Sequence, residues 1–587
     1  MRLYQRLDGW VRAWRVPGGA EDDLGGEPSV PGLSAVAVTL RYEGQVVGRG
    51  VDVSGGLGSL VLAAGQAMSA ANSRLPIERD ALFEQHVRAA AARMTISLEL
   101  AGPWVPIAPA QWEDAAAELA PGLDGTAARL GERAGAVFPS VMLASNMDPG
   151  RGLASAVSRA TDDATLILKP PGELAKELGA TFYRFRATHV AQPVPGEPPL
   201  FLHRGGRTVE PRELDEAELR RWADGLAENL RKRRWPGVEK YGLQGTYDPV
   251  SAKYEAAYAP PVDQALVIRA LTEYWGRYFN THEAARIGAV IGELWGDLGT
   301  VEAGEADPFA DPVAIAVWYS CIGLYMPHAP EAAEVERQVR VLDAAFTVEG
   351  GFAAEISQSA HGVIAGGVAH VEFMRALTEY IRTEARIDAL RGADRGRAVI
   401  AQVFRDTPRG DLVARMPWLG RGALSMSAML VKPDVDPWSI PIPSAVALRE
   451  MRSLMWQHQL RGEDLAFEQR DLAGGIVFTA SRNPLPSWQS ARPLAFVGTM
   501  LADPRLTDEK EVNAEIVRLL ASLRFLRQLS AGPEEGSQYA DPARAMWGVR
   551  VSLWDQRMPV DATAMTLMAV CETLRSLEAI QARRAGK

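Results

Sequence analysis

The chain has 587 residues, 47 % hydrophobic and 23 % charged, with a formal net charge of −10. That length implies two or three domains, and the balance suits a chain that buries large cores. The negative field opposes nucleic acid, so no nucleic-acid partner is expected. No apolar run approaches the roughly 20 residues that cross a bilayer, so no membrane span is expected either.

Residues 1–17 mix Arg, Trp and Asp with apolar residues and lack the apolar stretch of a signal peptide. Both cysteines, Cys321 and Cys571, lie in apolar helical stretches and read as small buried hydrophobes in a reducing compartment. The expected location is the cytoplasm.

The first domain is expected over residues 30–192. Residues 33–41 alternate as a strand, Glu43-Gly44 supplies a turn, and residues 45–53 form the hairpin partner. An Ala- and Leu-rich helix over 59–71 follows. Residues 95–100 alternate again and stop at Gly102-Pro103, and 182–189 alternate aromatic with basic residues. Gly55-Gly56-Leu57-Gly58 reads as a tight turn. This order, with Pro121-Gly122-Leu123-Asp124-Gly125, Phe138-Pro139-Ser140-Val141-Met142 and Tyr183-Arg184-Phe185, resembles the AMME-syndrome candidate-region domain family. The resemblance implies a small α/β fold without a securely assigned reaction. Family members carry Arg-Gly-Cys-Ile-Gly after the first hairpin. This chain reads Val47-Gly48-Arg49-Gly50 there, so any role of that cysteine does not carry over.

Prolines cluster over residues 193–212, which reads as a stiff linker. Residues 213–587 are then expected to be helical. A charged helix over 213–234 places Leu214, Leu219, Trp222, Leu226 and Leu230 on one stripe, and Arg231 to Arg234 suit its C-terminal dipole. Further helices are predicted over 263–278, 282–298, 312–325, 332–346, 362–383, 440–460, 512–529 and 561–579. Arg-Ala-Leu-Thr-Glu-Tyr occurs at both 269–274 and 375–380, Pro-Val-Asp at both 261 and 559, and Gly-Gly at both 350 and 474. Such echoes, without the 34–47-residue period of a solenoid, favour stacked hairpins closing into an α/α toroid. Glu273 and Glu379 in the repeated hexapeptide are placed in solvent.

The loop style of Gly350-Gly351-Phe352 and Gly474-Gly475-Ile476 is similar to that of α/α-toroid enzymes: glycoside hydrolases and lyases, squalene–hopene cyclases and protein prenyltransferases. Asp434-Val435-Asp436-Pro437 lacks the last acid of the cyclase motif. The fold class is thus a multi-domain α/β plus all-α chain, a small sheet domain followed by a toroid.

A toroid gathers the N-termini of its inner helices around a cavity, which selects Asp263 and Asp561. Each reads either as a helix cap or as a cavity acid. Glycosidic chemistry needs one protonated acid and one ionised carboxylate roughly 5–10 Å apart. His361, in the loop after Gly351-Phe352, and nearby Glu355 are acid–base candidates. His370 shares a helix face with Phe373 and Leu377 and reads as core. Trp438, Trp488 and Trp554 lie in loop-like strings and are candidate stacking surfaces, and Arg550 is a candidate for a ligand anion. No metal is expected, since His-x-x-x-His spacing is absent. No cofactor is expected either, since Walker and dinucleotide fingerprints are missing.

The expected function is a toroid cavity that binds or acts on a small-molecule, carbohydrate-like ligand. The alternatives are an isoprenoid-handling toroid and a non-catalytic scaffold whose surface meets a protein partner that the sequence does not identify.

Overall fold

A computed structural model describes residues 1–15, 31–80, 82–161, 163–278, 282–298 and 404–586, apart from 406, 430–435, 443, 479–484 and 534. The helices expected over 312–325, 332–346 and 362–383 lie outside the described residues, together with Cys321, Glu355, His361, His370 and Glu379.

Alternating sequence in the N-terminal part builds a mostly antiparallel sheet flanked by short helices. In chain order the elements are α1 (Arg2–Ala13), β1 (Ala35–Tyr42), β2 (Gln45–Asp52), α2 (Gly58–Arg74), α3 (Phe83–Ala92), β3 (Met94–Ala101), β4 (Val105–Ile107), α4 (Ala115–Glu118), β5 (Asp124–Leu130), β6 (Arg133–Val137), α5 (Pro139–Ala144), α6 (Pro149–Thr161), α7 (Pro171–Leu178), β7 (Thr181–Ala191) and β8 (Leu200–Leu202). The strand order is β2-β1-β3-β7-β5-β6, and β4 and β8 also pair with β7. Glu43 and Gly44 both take positive φ (50° and 80°), as a tight two-residue hairpin turn requires.

On one face Val36, Val38, Leu40, Ile96 and Leu98 pack against Leu7, Val11, Leu60 and Ala63. Helix α1 belongs to this core, and its Tyr4 hydroxyl donates to the Ile96 carbonyl at 2.9 Å. The domain therefore draws on residues well before residue 30. Helix α2 lies almost on the backbone of β2. A Cβ at Gly48 would sit 2.1 Å from the Ala67 carbonyl oxygen, and one at Gly50 1.9 Å from that of Ala63. The two glycines permit this approach, and Arg49 between them projects to the other face. A second apolar cluster joins Ile107, Val137, Leu153, Val157, Leu174 and Phe182.

The proline-rich segment is packed against both halves of the chain. β8 extends the sheet, with Val190 opposite Phe201. Arg204 Nε donates to the Pro121 carbonyl at 2.8 Å, and its Nη1 is bonded to the Asp471 carboxylate. The Val209 amide donates to Gln528 Oε1 at 2.6 Å.

The remaining elements are α8 (Glu216–Lys232), β9 (Tyr247–Asp248), β10 (Lys253–Tyr254), α9 (Pro261–Tyr278), α10 (His282–Leu298), α11 (Arg409–Met429), α12 (Ala445–Gln457), α13 (Ala491–Ala502), α14 (Glu509–Leu529), α15 (Pro542–Ala545) and α16 (Val560–Arg584). Helix α8 starts later than its charge pattern predicts because the Asp215 carboxylate accepts from the Glu218 amide at 2.8 Å and caps it. Helix α12 likewise starts late, since Ser444 takes a left-handed conformation (φ 63°). Helix α16 is buried along most of its length and packs against α8, α9 and α13. The helical core includes Trp222, Leu271, Leu294, Phe496, Leu523 and Leu567, and Cys571 is buried in it. Residues 299–403, on which the expected toroid also draws, lie outside the described residues. Among the described residues no helix is long and apolar enough to cross a membrane.

The hexapeptide in α9 corrects one expectation. Glu273 accepts from Arg269 Nε at 2.8 Å and from Arg421 Nη2 at 3.2 Å, and its side chain keeps only 12 % of its exposure. It is a packed ion-pair member rather than a solvated acid, because α11 brings Arg421 across to it.

Candidate functional site

Helices α9 and α16 are neighbours, and each opens with Pro-Val-Asp. Proline suits the start of a helix because its missing N–H is one that the first turn leaves unsatisfied. The aspartates fall inside the first turn rather than at the cap: Pro559 occupies the cap of α16, with Asp561 two residues on. A first-turn carboxylate gains from the helix dipole. Here two opposing influences prevail at Asp263. Burial raises its pKa, and the Asp561 charge raises it further, against a lowering by Arg492, so that it reaches about 7. The Asp561 carboxylate accepts from the Ala562 amide at 2.9 Å.

Arg492, in the first turn of α13, is a cation whose charge both acids feel. Burial lowers its pKa, while Asp561 and Asp263 raise it. Its guanidinium lies 5.2 Å from the centre of the Trp488 ring. Trp488 is buried and tied by its amide to the Val551 carbonyl at 3.0 Å. Arg233, at the C-terminal end of α8, also feels the Asp561 charge; it is buried, with Nη1 donating to the Met558 carbonyl at 2.7 Å. The site is therefore two half-buried carboxylates on adjacent helix starts, held among cations that come from α8 and α13.

The other predicted residues lie elsewhere. Arg550 is fully buried and gives Nε to the Leu529 carbonyl at 3.1 Å, Nη2 to the Gln528 carbonyl at 2.6 Å and Nη1 to Gln556 Oε1 at 3.3 Å. Its donors are used within the fold. Trp554 lines a cavity of about 480 Å³ between the two parts of the chain, facing Met142, Met147 and Leu485. Trp438 is 53 % exposed, with the Arg505 guanidinium 5.2 Å from its ring centre. Thus Asp263, Asp561 and Trp488 are brought together, Trp438, Trp554 and Arg550 are not part of that group, and Glu355 and His361 lie outside the described residues.

Sequence reasoning missed Arg492 and Arg233. Arg492 carries no local motif, and Arg233 sits in the basic run read as suiting the dipole of α8, whereas the fold buries it. Among the described residues no group of three or more His, Cys, Asp or Glu is arranged to hold a metal ion.

No protein-family model matches the chain, and no curated protein matches it. Among solved structures it is similar to the crystal structure of uncharacterized protein PH0010 from Pyrococcus horikoshii, at 18 % identity, covering 34 % of this chain and 93 % of that one with a TM-score of 0.24. A likeness at that score carries no argument about activity. The chain is a mostly antiparallel sheet domain followed by a helical region, with a pair of acids at two helix starts.

Proposed function

We propose that the helical region binds and acts on a small, carbohydrate-like organic ligand at the first turns of α9 and α16. The observation that carries this reading is the pairing of Asp561 with Asp263, whose proton affinity burial and the Asp561 charge raise, on two neighbouring helices that open with the same string. A carboxyl that keeps its proton near neutrality beside an ionised one divides the work of glycosidic chemistry: Asp263 donates a proton to a leaving oxygen, and Asp561 stabilises the cationic carbon or activates water. Arg492 orients the pair and meets a polar ligand group, and Trp488 fixes Arg492.

The finer architecture belongs to the same proposal. Identical openings on adjacent helices are what repeated hairpins of an α/α toroid produce, and the hairpin, helix and strand order of the sheet domain supports its likeness to the AMME-region family.

The test uses the full chain, a panel of mono- and disaccharides in thermal-shift and calorimetric titrations, and aryl glycosides as chromogenic substrates. Expected are saturable binding and turnover that falls at least about 100-fold in Asp263→Asn and in Asp561→Asn. If no saccharide binds, and both variants change only stability, the pair is structural and the scaffold reading takes its place.

A further inference from the structure

The apolar face of the N-terminal sheet is covered by α1, α2 and α3, whereas the opposite face carries a polar cluster that no step above uses. The register fixes its members. Thr39 faces both Arg49 and Ser97, Arg41 faces Thr95, and Glu99 faces His189. Ser97, Glu99, His189 and Arg41 are all at least nine-tenths buried.

Most of these groups satisfy one another. Glu99 Oε1 accepts from the Ser140 amide at 3.0 Å, and its Oε2 from the Ser140 hydroxyl. Arg49 Nη2 donates to Ser140 Oγ at 3.1 Å and lies 3.8 Å from Glu99 Oε2. Ser97 Oγ and His189 Nε2 are 2.7 Å apart, and burial holds the His189 pKa below its ordinary value, so that the ring is neutral.

Arg41 is the exception. Its exposure is 8 %, and its buried Nε has no hydrogen-bond partner among the described residues. Burial and the neighbouring Arg49 push its pKa down to about 10, against the opposing pull of Glu99. A cation that deep costs several kcal/mol unless something neutralises it. Glu99 supplies one negative charge to two guanidinium groups, so the face carries excess positive charge.

The face also has room for a ligand. A cavity of about 220 Å³ is lined by Glu99, Arg186, Thr188 and His189 of the sheet domain, by His203 and Arg204 of the proline-rich segment, and by Glu468 of the helical region. Arg49 lies 3.8 Å from Glu99, a residue of the cavity wall, and Arg41 shares the face with Thr39, which pairs with Arg49. On the opposite wall, Arg204 Nη2 is buried without a hydrogen-bond partner, although its other nitrogens are bonded to Pro121 and Asp471.

We propose that the cavity between the polar face of the sheet and the helical region is an oxyanion site, with Arg41 and Arg49 supplying the charge on one side and Arg204 on the other. Its size suits a small phosphate- or carboxylate-bearing molecule. Thr188 and the His189 ring, which Ser97 braces at 2.7 Å, provide hydrogen-bonding groups for the rest of it. Because the wall includes both parts of the chain, occupancy tightens the contact between them.

The test is a thermal-shift and calorimetric titration of the full chain at fixed ionic strength, with inorganic phosphate, ribose 5-phosphate and malonate as probes and chloride as control. Expected is a saturable rise in Tm with at least one probe, and a loss of affinity of at least tenfold in Arg41→Met. Response to inorganic phosphate alone identifies a free anion, whereas a stronger response to ribose 5-phosphate or malonate identifies an organic phosphate or carboxylate. Without ligand, Arg41→Met is expected to melt at or above the wild-type Tm, because it removes an uncompensated charge. If Arg41→Met does not fold, Arg41→Lys keeps the charge but not the planar fork, and is expected to bind about tenfold more weakly. No response to any probe, or equal affinity in the arginine variants, overturns the proposal.

Discussion

Burial and the Asp561 charge raise the proton affinity of Asp263 across the contact between α9 and α16. Their identical Pro-Val-Asp openings do not give them identical surroundings. The Asp561 charge acts on Arg233, whereas both acids act on Arg492 of α13. The asymmetry arises from packing around a symmetric motif.

That asymmetry makes stability depend on pH in a defined direction. Asp263 keeps its proton to about pH 7 when folded, whereas an unstructured aspartate loses it near pH 3.9. Between those values the folded chain binds more protons than the unfolded chain, so this group makes stability fall as pH rises through the window. Urea denaturation at pH 5 and pH 8 is expected to show a wild-type loss on the order of 2 kcal/mol that Asp263→Asn does not share. Comparing variant with wild type cancels the other titrating groups. Parallel pH profiles for the two proteins would contradict the assignment.

Gly50 tests the close approach that turns Arg49 toward the polar face. A Cβ there meets the Ala63 carbonyl oxygen at 1.9 Å, and neither backbone can yield without moving α2 off β2. Gly50→Ala is expected to cost about 3 kcal/mol or more in denaturant unfolding. Gly65, in the middle of α2, has nothing within 4 Å of the added Cβ. Gly65→Ala is expected to gain up to about 1 kcal/mol from helix propensity. Equal effects at the two positions would show that α2 does not rest on β2.

Which parts of this arrangement can be read along the chain follows from how local each feature is. The helix over 282–298 was legible to the residue, and 263–278 nearly so, because apolar spacing and a proline mark their limits. The echo of Pro-Val-Asp located both acids, since the signal is three adjacent letters. Strands β5 and β6 left no such trace: Asp124–Leu130 and Arg133–Val137 are rich in Ala and Gly, which carry little strand preference. Arg550 illustrates the converse. An arginine near a loop tryptophan reads the same whether it meets a ligand or three acceptors within the fold. The polar cluster of Arg41, Arg49, Glu99 and His189 is illegible for a third reason. Its members come from four strands, and only the register β2-β1-β3-β7 assembles them.

The repeated hexapeptide offers a last measurement, because its glutamate is structural where the sequence suggested solvent. Arg421 and Arg269 lower the Glu273 pKa to about 2, outweighing the burial that raises it. An unstructured glutamate titrates near 4.3, so the stability that Glu273 contributes is present above that value and is lost as pH falls toward 2. Glu273→Gln leaves two arginines facing a neutral amide and is expected to cost about 3 kcal/mol at pH 7. The gap between wild type and Glu273→Gln should then narrow in urea melts at pH 4 and further at pH 3, since the unfolded wild type takes up a proton there that the folded, paired carboxylate does not. A gap that stays constant down to pH 3 would assign the loss to packing alone. A gap near zero at pH 7 would return Glu273 to the solvated role that its sequence position suggests.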